Sequence, residues 1–143
     1  MSDTIRQLGL GLLVLLGCLQ LPMVSGLDTA ALGKVAEVCV KESGISPEEK
    51  KVLLADEMEK IDEKDFSHNM RCFQLCFYKQ LGIIDANGDP IVEPFIKFME
   101  SRFTDKKDKV KPAIAKCRAI TDADPCEHVF KFEVCMAHAI EGN

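Results

Sequence analysis

The spacing Cys39-x32-Cys72-x3-Cys76-x40-Cys117-x8-Cys126-x8-Cys135 constrains this chain more than any other feature of it. Six half-cystines in helix-forming sequence, behind an N-terminal export signal, read as a disulfide framework, because an oxidising compartment lets such bonds persist. Helical geometry limits how they pair. Cys72 and Cys76 are four residues apart, so they point the same way from one helix, which makes a bond between them awkward and sends each to a different partner. Cys126 and Cys135 are nine apart, which at about 100° per residue puts them on nearly opposite sides of a helix. That helix must lie between two others and be bonded to both.

The export segment decides which residues belong to the fold. Arg6 gives a short basic start, and residues 8–19 (LGLGLLVLLGCL) form an apolar run too short to cross a bilayer as a stable helix. Pro22 breaks it, and Val24-Ser25-Gly26 offers cleavage positions. Residues 1–26 are therefore expected to be removed, leaving a single 117-residue domain, 27–143, that begins at Leu27. Cys18 leaves with the signal, and the remaining six cysteines can all pair.

Loss of Asp3 and Arg6 leaves the formal net charge at −5. An acidic surface argues against nucleic acid or anionic lipid as a partner. No second apolar run of membrane length follows and no Asn-x-Ser/Thr acceptor occurs, so a secreted, soluble product without stable membrane insertion or N-glycans is expected.

Helix signals punctuate the rest. Residues 28–43 read as a helix ended by Gly44, with Leu32, Val35, Val38 and Cys39 on one face. Ser46-Pro47-Glu48-Glu49 is a capping box with proline at the first helical position, predicting a second helix to about Glu57. Residues 59–65 read as a connection. A third helix spans 67–81, with Met70, Phe73, Phe77 and Leu81 at helical spacing, and the turn-forming run 85–90 follows Gly82. The fourth carries Ile91, Phe95, Phe98 and Met99, and either Pro90 or Pro94 fits its first turn. A basic approach, 106–111, leads to a fifth helix running to about Ile120, which Pro112 opens or kinks. Asp124-Pro125-Cys126-Glu127 heads a sixth, reaching about Ile140. The fold class is all-α, with about six helices.

At this point the cysteine pattern resembles that of the insect odorant-binding proteins, in the six-cysteine branch that includes the pheromone-binding proteins. The x3 and last x8 spacings and the long gap before the fourth cysteine carry the resemblance, which covers the chain from about Leu27 to Asn143. It implies pairing of first with third, second with fifth and fourth with sixth: Cys39–Cys76, Cys72–Cys126 and Cys117–Cys135. Such bonds, worth about 3–4 kcal/mol each in the chain-entropy model, offset the stability lost by a hollow centre.

The resemblance further implies helices around a closed apolar pocket. The candidate lining residues are Phe73 and Phe77 of the third helix, Phe95, Phe98 and Met99 of the fourth, and Val110 and Ile114 of the fifth. Val129, Phe132 and Met136 of the sixth complete the set, in a stripe that continues to Ile140. Each of them, taken singly, also fits ordinary core packing. A ligand burying about ten methylene-sized groups gains roughly 8 kcal/mol gross, which association losses reduce to micromolar affinity. The expected ligand is a volatile alcohol, ester, aldehyde, terpenoid or fatty acid, and an olfactory receptor is the implied partner of a monomer or weak homodimer. Tyr78, with Arg71 and Gln74, falls on the polar side of its helix and is a poor candidate anchor for a ligand hydroxyl.

Catalysis is not expected: there is no His-Glu-x-x-His zinc pattern, no cysteine-flanked His-Asp pair and no Gly-x-Ser-x-Gly elbow. A zinc site from His68, Cys72 and Cys76 loses to disulfides in an exported chain, so neither metal nor cofactor is expected. His68, His128 and His138 are the candidates for a pH-sensitive release, because imidazole as a side-chain type changes charge near neutrality, but they read as surface residues without such a role. Only eight residues follow Cys135, fewer than the pocket-entering tail of several pheromone-binding relatives needs. The alternatives to an olfactory carrier are a secreted carrier or scavenger of lipids or small amines outside smell, and an interaction protein of the same fold. A saposin-like lipid binder differs in cysteine spacing.

Overall fold

The computed structural model describes residues 29–54 and 62–142, and among them six α-helices form the domain. They are α1 (Thr29–Ser43), α2 (Pro47–Leu54), α3 (His68–Gln80), α4 (Val92–Arg102), α5 (Val110–Cys117) and α6 (Pro125–Glu141). Short 3-10 segments, Glu63–Asp65 and Thr104–Lys109, precede α3 and α5. The expected export segment and the end of the predicted second helix, residues 55–57, lie outside the described residues.

Local chemistry sets the helix ends. The Ser46 hydroxyl accepts from the Glu49 backbone N–H at 3.1 Å, and the Glu49 carboxylate accepts from the Ser46 N–H at 2.9 Å, which completes the capping box. Ser67 caps α3 by accepting from Met70 N–H, and Asp124 caps α6 by accepting from Cys126 N–H. Gly82 ends α3 at φ 73°, in the left-handed region open to glycine. The turn beyond it is held by Asp85, whose Oδ1 accepts from the N–H groups of Asn87 and Asp89 at 2.8 and 3.0 Å. A lone bridge, Ile84 to Pro90, closes this loop.

Two helix boundaries differ from the sequence reading. α4 starts at Val92 with Pro94 in its first turn, which leaves Ile91 at the N-cap and 42% exposed rather than within the helix. α5 stops at Cys117, where a tighter bond from Ile120 N–H to the Cys117 carbonyl closes the last turn, so Ile120 lies beyond the helix. Residues 136–141 continue α6. Its end is fixed by Gly142 at φ 85° and by a 2.7 Å contact between Lys106 Nζ and Glu141.

Packing follows the cysteines. Cys39–Cys76 joins α1 to α3, Cys72–Cys126 joins α3 to α6, and Cys117–Cys135 joins α5 to α6, with Cα separations of 5.5, 4.6 and 5.9 Å. The two cysteines of α3 thus reach different helices, and α6 lies bonded between α3 and α5. A single apolar cluster fills the space between α1, α3, α4, α5 and α6.

Candidate functional site

All ten candidate lining residues are buried, and all belong to that one cluster. Phe77, Met99, Val110 and Met136 are fully inaccessible, and Ile114, the most exposed of the set, is only 7% so. Their aromatic rings meet across helices as well as along them. Phe73 stacks beside Phe77 on α3 at 5.7 Å between centroids, and Phe95 of α4 meets Phe132 of α6 edge to face at 5.6 Å. Phe132 also borders a pocket of about 200 Å³ lined with Asp89, Pro90, Arg118, Ile120 and His128.

Inside this apolar mass lies a polar island that the helical stripes did not reveal. Glu133 of α6 is 1% exposed and draws donors from two other helices. Its carboxylate accepts from Gln74 Nε2 at 2.5 Å, from the Tyr78 hydroxyl at 3.0 Å, and from Arg102 Nη1. The Arg102 guanidinium also lies over the Phe98 and Phe103 rings, 5.6 and 5.5 Å from their centroids. Burial works against the Arg102 charge, but the adjacent Glu133 carboxylate, together with Tyr78, more than restores it and raises the affinity for the proton. Burial, then the Glu133 charge, pushes the Tyr78 phenol well above its usual range.

The polar side of α3 is therefore largely interior: Tyr78 is fully buried and Gln74 is 2% exposed, because α6 presents a carboxylate to them. One signal in the sequence points there. Glu133 lies four residues after Val129 and three before Met136, inside the apolar stripe of α6.

His128 corrects the surface reading of the histidines: it is 6% exposed, with Nε2 3.5 Å from Asp89 Oδ1, because the loop before α4 folds over the first turn of α6. His68 is exposed and bonds Glu127 at 3.1 Å, and His138 bonds Glu63 at 3.2 Å. His68 also stands 3.4 Å from the Cys72 sulfur, but that sulfur is bonded to Cys126 and offers no thiolate to a metal. Beside it, Arg71 pairs with Glu127 at 2.5 Å and lies 4.1 Å over the Phe130 ring.

The architecture is thus a small helical domain whose cysteines join α1 to α3, α3 to α6 and α5 to α6 around an aromatic interior. The model of the PBP/GOBP family matches residues 26–139. The chain belongs to the PBP/GOBP family. Comparison with curated proteins and with solved structures gives no significant match. Members of the PBP/GOBP family are small soluble binding proteins for odorants and pheromones rather than enzymes, and the six-cysteine pattern is that of its insect odorant-binding branch. Among the described residues, no helix of this PBP/GOBP domain is long and apolar enough to cross a membrane.

Proposed function

We propose that the chain is an extracellular carrier that holds a small apolar odorant or pheromone among Phe73, Phe77, Phe95, Phe98, Met99, Val110, Ile114, Val129, Phe132 and Met136, and delivers it to olfactory receptors. The observation that carries this reading is the family match over residues 26–139. The burial of all ten side chains in one cluster supports it, since a ligand surrounded by them exchanges water for apolar contact over most of its surface. In this reading residues 1–26 direct export and are removed, and the three disulfides hold the wall in place when the interior empties.

Displacement of a fluorescent apolar probe from the oxidised protein by volatiles and fatty acids tests the proposal. Micromolar displacement that disappears on reduction of the disulfides is the expected result. A folded, fully oxidised protein that takes up no probe would show the aromatic interior to be filled core, and the carrier reading would fall.

A further inference from the structure

The hydrogen bonds of the polar island leave one group over. Glu133 Oε1 accepts from Tyr78 and Arg102, and Oε2 accepts from Gln74. The Tyr78 hydroxyl has a single proton, already donated to Glu133, and its oxygen has the Gln74 amide as a further neighbour in hydrogen-bond contact. The orientation of that amide is fixed by chemistry: turned over, it would set its oxygen 2.5 Å from a carboxylate oxygen. Gln74 Oε1 is therefore an acceptor by necessity. It is buried, and no donor among the described residues reaches it. Buried acceptors are nearly always matched by a donor, so one left over marks a place where a bound molecule can supply it.

We propose that Gln74 Oε1 accepts a hydrogen bond from the hydroxyl of the bound molecule, so that the interior selects alcohols over acceptor-only homologues of the same chain length. This rests on the carrier reading above. Arg102 balances the charge of Glu133 within the island, and no net charge there calls for an ionic ligand. An ether, ester or aldehyde brings only acceptors and would set oxygen against oxygen. A carboxylate would do the same while adding charge beside Glu133. The apolar residues flanking Gln74 on α3, Phe73 and Phe77, suit the hydrocarbon part of the ligand.

The test compares displacement of the fluorescent probe by a medium-chain primary alcohol and by its methyl ether, which keeps the oxygen and removes the donor. The alcohol is expected to bind about 5- to 10-fold more tightly, as one net hydrogen bond allows. In Gln74→Met the ratio falls to about one, with the alcohol weakened and the ether unchanged. Equal binding of the two by the native protein overturns the proposal and leaves the carrier reading standing, as does a ratio that persists in a folded Gln74→Met. A native protein that takes up no probe overturns both. The native comparison decides the matter alone if the variant does not fold.

Discussion

Arg102 and Glu133 meet in the interior with side chains only 3% and 2% exposed, one at the end of α4 and the other in the middle of α6. A buried pair of this kind owes its stability to mutual compensation, and removing one partner leaves an unbalanced charge in a medium that solvates it poorly. Arg102→Met is expected to cost about 3–5 kcal/mol in denaturant unfolding, and Arg102→Met with Glu133→Leu to cost less than the sum of the single changes. Additive losses would show that the two do not act as a unit.

Tyr78 is the only tyrosine, and there is no tryptophan, so its ionisation is read directly from ultraviolet absorption. Burial and the Glu133 charge hold the phenol protonated in the folded state well above the usual value of about 10. The folded protein binds this proton more tightly than the unfolded chain, so the contribution is fully present below pH 10 and is lost as pH rises beyond it through the folded value. Titration should show no tyrosinate at about pH 10–11 in the native protein, and a transition near 10 in denaturant. A native transition near 10 would place the phenol in water.

Two glycines should respond to alanine in opposite ways. Gly88 has φ 86°, and a Cβ there would lie 3.1 Å from the Pro125 carbonyl oxygen, so Gly88→Ala strains the loop against the start of α6. A loss of more than about 1 kcal/mol in thermal unfolding is expected. Gly33 lies within α1, and a methyl group at its Cα would meet no neighbour within 4 Å among the described residues, so Gly33→Ala should stabilise by about 0.5–1 kcal/mol.

The disulfides should rank by the loop each closes. Cys72–Cys126 spans 54 residues and Cys117–Cys135 spans 18, so replacing both cysteines by serine should cost about 4 kcal/mol for the first and about 3 for the second. The reverse order, measured by equilibrium unfolding, would mean that native packing rather than chain entropy governs the contribution.

At acid pH, partial burial works to raise the Glu127 carboxyl, and the hydrogen bonds and charges of His68 and Arg71 outweigh it, so the group lies below its usual 4.5. A depressed carboxyl contributes stability above its unfolded value, and loses it as pH falls through the lower folded one. Melting temperature should therefore fall below pH 4.5 more steeply in the native protein than in Glu127→Gln. Parallel curves would remove this pair from the acid response.

What the sequence made legible was what local chemistry decides. Ser46, Ser67 and Asp124 mark helix starts because a hydroxyl or carboxylate near orphan N–H groups acts within a few residues. The pairing of Cys39 with Cys76 came from resemblance, and the spacing of Cys72 and Cys76 was enough to keep them apart. Periodicity also placed the ten apolar side chains inside. It failed for Gln74 and Tyr78, because it sends polar residues outward unless a partner is known, and their partner Glu133 lies 59 and 55 residues away. His128 was missed for the same reason: its burial depends on a loop from another part of the chain.

Of the four helices that carry the ten apolar residues, α3, α5 and α6 are joined covalently, whereas α4 contains no cysteine. Phe95, Phe98 and Met99 therefore sit on the one helix of the four whose position is set by packing and by the Arg102 ion pair. Substitution along α4 can reshape the interior without disturbing a cross-link. In the carrier proposed above, the covalent frame and the chemical taste of the interior are thereby separable, and one can diversify while the other is conserved.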